Sequence, residues 1–99
     1  MSTEWVNSEV VRISVCGDID ASNAAEMVDY VLRRGANSRS LVLDLTDVTF
    51  FATAGVSALR TIDVRSSRAS VSWMLVPSPA VSRVLSICDP RRELPRGVG

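Results

Sequence analysis

The fold is decided by residues 41–60, which read LVLDLTDVTFFATAGVSALR. The run from Leu41 to Leu45 is β-prone and almost entirely apolar, which predicts a central strand covered on both faces by helices. A loop is expected next, followed by a helix from about Ala54 to Ser66. Apolar residues recur in that helix at helical spacing, at Val56, Leu59 and Ile62. This strand, loop and helix form one unit of an α/β fold.

The residues before this unit predict a hairpin and a helix. From Val10 to Cys16, apolar and polar residues alternate as in a strand with one covered face, and Gly17 is expected to end it. A short strand around Trp5 and Val6 would pair with it. The stretch 18–22 carries helix-capping side chains, and an amphipathic helix follows up to Gly35. Its predicted inward stripe is Ala24, Met27, Val28, Val31 and Leu32.

The residues after the unit predict one more strand and helix. Ser70–Val76 is the strand, and Ser78 and Pro79 are suited to the N-cap and first turn of the helix. The whole chain then forms one domain with a mixed sheet of four or five strands. The sheet is largely parallel with an antiparallel N-terminal strand, and three or four helices pack on it. The core spans about residues 9–90, and 91–99 form a loose tail.

The amino-acid composition argues against several classes of function. The 99 residues carry 11 basic and 11 acidic side chains, so the long-range positive field used by nucleic-acid and membrane-surface binders is absent. There is no histidine, and no constellation of residues suggests a reaction, a metal site or a cofactor, so we expect a protein that is not an enzyme. Without a signal sequence or a long apolar run, it is expected in the cytoplasm, with no membrane insertion.

Three motifs in register resemble the STAS domain, the family of sulfate-transporter C-terminal domains and anti-sigma-factor antagonists. The first is Gly17-Asp18-Ile19-Asp20, similar to the Gly-Glu-Leu-Asp of the family. The second is residues 41–60, similar to an apolar strand followed by Val-x-Phe and then Asp-Ser-Ser-Gly or Asp-Ser-Thr-Gly. The third is residues 77–81, similar to the turn into the third helix. The resemblance covers about residues 9–90.

The resemblance implies an anti-sigma-factor antagonist, which binds an anti-sigma factor of the serine-kinase type and frees a sigma factor. In such proteins the serine just before the glycine is phosphorylated, which releases the antagonist because the added charge disrupts the contact surface. On this chain the family Asp falls on Ala52, the first Ser on Thr53, the acceptor on Ala54 and the glycine on Gly55. The usual acceptor is therefore missing. Thr53 remains as an N-cap of the second helix or a displaced phosphoacceptor.

The predicted partner-binding surface comprises the loop before the first helix and the first turns of the second. It is made of Asp18, Asp20, Ala52, Thr53, Ala54, Gly55, Ser57 and Arg60. The presence of Asp20 is also explained if its side chain only caps the first helix. Cys16 and Cys88 are candidates for a redox switch, although small buried side chains are the simpler interpretation. A STAS accessory subunit that docks the ATPase of a membrane lipid-transport complex is the alternative function. The oligomeric state is open between a monomer and a weak homodimer.

Overall fold

The computed structural model describes residues 1–97 and contains four strands and three helices in one α/β domain. The strands are β1 (Ser2–Trp5), β2 (Val10–Ile19), β3 (Ser40–Phe51) and β4 (Ser72–Pro77). The helices are α1 (Ala24–Gly35), α2 (Thr53–Arg68) and α3 (Pro79–Cys88). The fold class predicted from the sequence is confirmed.

The four strands form one sheet in the order β1-β2-β3-β4, with β1 antiparallel to β2 and the other pairs parallel. In the register, Ile13 of β2 lies beside Leu43 of β3, which lies beside Leu75 of β4. All three side chains are fully buried. They share their core with apolar residues from each helix, including Met27 of α1 and Leu59 of α2.

The prediction that the central strand is covered on both faces is wrong. Along β3, Leu41, Leu43 and Leu45 are buried, whereas Val42 and Asp44 between them stay partly exposed. Right-handed crossovers between strands that are neighbours in both chain and sheet place α1 and α2 on the same face. The opposite face carries an ion pair between Arg12 and Asp44, which lie on adjacent strands.

Strands β2 and β3 both continue further than the sequence indicated. Gly17 has a positive φ of 85° and lies between two register shifts within β2, so it marks a bulge instead of ending the strand. The expected loop at 46–51 is the end of β3. We call Cys16–Ile19 together with Asp47–Phe51 the β2–β3 extension. It projects past β1 and β4, whose last register partners are Ser14 and Leu45.

The segment after α3 is attached to the sheet, contrary to the expected loose tail at 91–99. The Leu75 N–H donates to the Pro95 carbonyl at 2.9 Å, and the Gly97 N–H donates to the Leu75 carbonyl at 2.7 Å. Leu94 is buried in the core with 2% of its surface exposed. Residues 98–99 of the predicted tail lie outside the described residues.

The carboxylate of Asp89 anchors this segment. It is buried and accepts hydrogen bonds from the backbone N–H groups of Glu93 and Leu94, both at 3.0 Å, and from the Arg96 guanidinium at 2.9 Å. Burial acts to raise the pKa of Asp89, but these donors outweigh it and hold the pKa below its ordinary value. The segment therefore closes the β4 side of the sheet.

Candidate partner-binding surface

The β2–β3 extension brings the loop before α1 and the start of α2 together. The Ala52 N–H donates to the Ile19 carbonyl at 2.9 Å, and the Thr49 hydroxyl donates to an Asp18 carboxylate oxygen at 3.3 Å. Asp18 and Asp20 therefore lie at the same end of the molecule as Ala52 and the residues after it. The extension carries both loops beyond the rest of the sheet.

Asp20 shapes its own loop and does not cap α1. One carboxylate oxygen accepts the Ser22 backbone N–H at 2.8 Å and the Ser22 hydroxyl as well. These bonds hold the pKa of Asp20 below its ordinary value, so the side chain is an exposed anion at neutral pH. The N-cap of α1 is Asn23, which makes no side-chain capping bond. Its amide instead links the Asp20 N–H to the Asp18 carbonyl.

The first turn of α2 has no side-chain cap. Ala52 occupies the N-cap position in an extended conformation, and its carbonyl accepts the Gly55 N–H at 2.9 Å. Thr53 is the first helical residue and is exposed, so the interpretation of Thr53 as the N-cap is wrong. Ala54 is half-buried and presents a methyl group where the family pattern has a hydroxyl.

Gly55 is buried and belongs to the packing beneath this surface. A Cβ atom built on Gly55 would lie 2.4 Å from Cε1 of the Phe51 ring, which is far inside van der Waals contact. Phe51 is itself 4% exposed. Gly55 therefore lets the end of β3 and the first turn of α2 approach closely, and it does not form part of an exposed binding surface as predicted.

A sequence model of the STAS domain matches residues 6–95. This chain belongs to the STAS domain family. Among curated proteins, osmosensory protein A of Mycobacterium tuberculosis is 38% identical over 78 residues, which are 78% of this chain and 49% of that protein. The chain therefore spans about half the length of the curated relative that it matches.

Two solved structures share the fold. An anti-sigma factor antagonist from Mycobacterium paratuberculosis superposes with a TM-score of 0.83 at 23% identity, covering 96% of this chain and 81% of its own. The anti-sigma factor antagonist SpoIIAA in its unphosphorylated form superposes with a TM-score of 0.77 at 16% identity, covering 98% of this chain and 87% of its own. Both resemblances extend over nearly the whole STAS domain.

Arg60 is the predicted partner-binding residue furthest along α2 of this STAS domain, and its side chain is engaged with the end of α3. Its guanidinium donates to the Cys88 carbonyl at 3.0 Å and lies 3.8 Å from a Glu93 carboxylate oxygen. Arg60 therefore ties α2 to the end of α3 and the segment that follows. Ser57, one turn beyond Ala54, is exposed and lines a groove between α1 and α2.

The STAS domain also exposes an aromatic residue that the sequence analysis missed. Phe50 is 54% exposed on the β2–β3 extension, where it is the register partner of Asp18. Aromatic residues, Phe included, are enriched in the cores of protein–protein interfaces relative to the rest of the surface. The signal was present in the sequence as Phe50-Phe51, because adjacent residues of a strand point to opposite faces.

The two cysteines are separate free thiols in the structure. Cys16 is exposed on the β2–β3 extension, so its interpretation as a small buried residue is wrong, whereas Cys88 is half-buried at the end of α3. Within residues 1–97, no three His, Cys, Asp or Glu side chains are grouped closely enough to hold a metal ion. No helix in the same range is long and apolar enough to span a bilayer.

Proposed function

We propose that this STAS domain is an anti-sigma-factor antagonist that binds an anti-sigma factor of the serine-kinase type in the cytoplasm and frees a sigma factor. The observation that carries the proposal is the joined pair of loops at the end of the β2–β3 extension. There Asp18 and Asp20 present carboxylates, Phe50 presents an aromatic ring, and Thr53 opens α2. Family membership and the two antagonists that share the fold support the same role.

The arrangement fits binding by shape and charge without catalysis. Phe50 is large, rigid and exposed, so its burial against a partner would supply much of the binding energy. Asp18, the register partner of Phe50, and Asp20 in the same loop favour a partner surface with arginine or lysine side chains, which would raise the specificity and the association rate. In this proposal the protein displaces the sigma factor by occupying the anti-sigma factor.

We further propose that this antagonist works without the usual serine switch. Ala54 cannot accept a phosphate, and Ala52 leaves the neighbouring carboxylate out of the contact surface. Its activity would then follow its concentration or another modification, with Thr53 as the exposed hydroxyl nearest to the usual site. Cys16 and Cys88 are the candidates for redox control.

Affinity purification of the protein from its native host, followed by identification of the bound proteins, tests the function. The relative named as an osmosensory protein makes an osmotic upshift the first condition to compare with normal growth. Recovery of a serine-kinase anti-sigma factor is the expected result. Recovery of a transport ATPase without such a kinase would instead support the accessory-subunit function, and recovery of neither would overturn the proposal.

The absence of the switch is tested with the recovered kinase, ATP and two proteins, the wild type and Ala54→Ser. We expect intact-mass spectra to show a phosphate on Ala54→Ser only, and that variant alone to leave the kinase on phosphorylation. A phosphate on wild-type Thr53 that releases the kinase would show that the switch has moved by one residue. Phosphorylation of neither protein would contradict the proposed kinase type.

A further inference from the structure

A continuous groove runs along the outer side of the contact between α1 and α2. It consists of two adjoining cavities of about 320 and 350 Å³ that share Ala25 and Val28 as lining residues. The α2 wall is formed by a stripe of residues at helical spacing, at Ala54, Ser57, Ala58, Thr61 and Arg65. Most of these side chains are small, which lets another backbone approach closely.

The groove is about as long as three turns of helix. Its α2 wall extends from Ala54 to Arg65, and a rise of about 1.5 Å per residue makes that distance about 16 Å. Val28 and Leu32 of α1, which the sequence assigned to the core stripe, are only half-buried and form the opposite wall. The groove therefore offers uncovered apolar surface in the half that begins at Ala54, whereas Asp29, Arg33 and Arg65 make the other half largely polar.

The two ends of the α1–α2 pair carry charges of opposite sign, although the chain as a whole is neutral. The acidic residues concerned lie in the loop before α1, next to the groove and outside its lining. The helices are parallel to one another because each returns from one parallel strand to the next. Asp18 and Asp20 precede α1 at the end where both helices begin. At the other end, the last turns of the helices carry Arg33 and Arg34 on α1 and Arg65 and Arg68 on α2. Of these, Arg33 and Arg65 line the groove, and Arg33 is paired with Asp29, which lines the same end, so Arg65 supplies the net positive charge of the lining there.

This polarity selects the orientation of an occupant. A helix that lies antiparallel to α1 and α2 would place its N-terminus beside the arginines and its C-terminus beside the aspartates. Helices favour acidic residues in their first turn and basic residues in their last turn, so the charges of such a helix match both ends of the groove. Its dipole also opposes the two parallel dipoles beneath it.

We propose that this groove binds an amphipathic helix of the partner protein, about three turns long and antiparallel to α1 and α2. The inference rests on the proposed partner-binding role and extends the contact from the β2–β3 extension along α2. Because Ala54 forms part of the α2 wall of the groove, a hydroxyl or phosphate there would disturb the apolar end of the helix site.

Two synthetic helical peptides of about 14 residues test the groove without any anti-sigma factor. Both carry leucines on one face and a covalent staple on the other, which holds each peptide in a helix. Circular dichroism checks that the two peptides are equally helical. One has glutamates in the first turn and lysines in the last, and the other has these charges exchanged. Binding is measured by NMR titration of the isotope-labelled protein.

We expect the first peptide to bind about tenfold more tightly than the second, because each matched helix end contributes a modest electrostatic gain. The amide signals of Ala25, Ser57 and Thr61 should shift. Ser57→Arg should abolish these shifts, Arg65→Glu should remove the preference between peptides, and the control Ser86→Arg on exposed α3 surface should change nothing.

Absence of groove shifts at millimolar peptide, equal binding of both peptides, or wild-type behaviour of Ser57→Arg would each overturn the inference. Because the probes are peptides, these outcomes are independent of the partner recovered by affinity purification. A protein that binds its anti-sigma factor but neither peptide would retain the proposed function and lose the groove.

Discussion

Gly55 lies against the Phe51 ring so closely that any Cβ atom at that position would be 2.4 Å from Cε1 of the ring. Phe51 is buried in the core, so its ring would have to shift against packed neighbours to accommodate the added atom. We therefore expect Gly55→Ala to lower the free energy of unfolding by about 1–3 kcal/mol, the usual cost of overpacking. The loss should exceed the gain in helix propensity that alanine normally brings.

Urea denaturation followed by circular dichroism measures this effect. The matched control is Gly55→Ala combined with Phe51→Leu, in which the smaller side chain relieves the contact. The double variant should lose less stability than the sum of the single variants. A Gly55→Ala protein as stable as the wild type would contradict the close approach of β3 and α2.

Replacement of Asp89 by Asn is expected to loosen the segment from Asp89 to Gly97. The substitution removes the charge that faces Arg96 and places an amide donor against backbone N–H groups. Because Arg96 is largely buried, we expect a loss of roughly 3 kcal/mol of unfolding free energy. Faster amide exchange at Leu75 and Gly97 should accompany it. Asp47→Asn, at an exposed position, is the control and should change stability little.

The same carboxylate predicts how stability depends on pH. The pKa of Asp89 is lowered in the folded protein, so the unfolded chain binds its proton at a higher pH, and the folded state is favoured at neutral pH. Asp44 contributes with the same sign, because hydrogen bonds from Thr46 and Arg12 outweigh its burial and lower its pKa. Stability should therefore fall as the pH drops below about 4, near the unfolded carboxyl pKa.

Urea midpoints measured between pH 7 and pH 2.5 test this dependence. The slope should be flatter in Asp44→Asn than in the wild type, because one of the linked carboxyls no longer titrates. An equal slope in both proteins would show that the lowered pKa of Asp44 is not coupled to folding.

Phe50→Ala is expected to weaken binding of the recovered anti-sigma factor tenfold or more, since truncation of a central aromatic residue commonly costs about 2 kcal/mol or more. The melting temperature should stay close to that of the wild type, because the ring is already half exposed. Ile87→Ala, which truncates the 77% exposed side chain on α3, is the control for nonspecific apolar loss. Isothermal titration calorimetry measures the affinity of each variant for the anti-sigma factor. Equal affinity of the two variants would exclude Phe50 as an anchor.

The sequence predicted the elements whose signals are local. Ser78 caps α3 by accepting the Val81 N–H at 3.2 Å, with Pro79 in the first turn, as its residue types indicated. The alternation in β2 and the helical stripe of α2 also identified buried residues correctly, such as Ile13 and Leu59. These features depend on residues that are close together along the chain.

The predictions that were wrong depended on contacts between distant residues. Asp44 lies in an apolar run that favoured a doubly covered strand, and the partner with which it pairs on the open face, Arg12, is 32 positions earlier in the chain. Gly17 was predicted to end a strand. It lies in a bulge instead, and a bulge is defined by the pairing with the neighbouring strand, which the local sequence does not show. The anchoring of the last segment likewise depends on hydrogen bonds that Asp89 accepts from residues further along the chain. In the sequence, Asp89 looks like an ordinary residue at the end of a helix.

The order of the strands in the sheet has a consequence for folding during synthesis. Each strand pairs with the strand made just before it, and the two parallel pairs each close over one intervening helix. The sheet can therefore grow in step with translation, from the N-terminus onward. The donors to the buried carboxylate after α3 are synthesised after all four strands and three helices of the domain, so the β4 edge is the last part of the sheet to be closed.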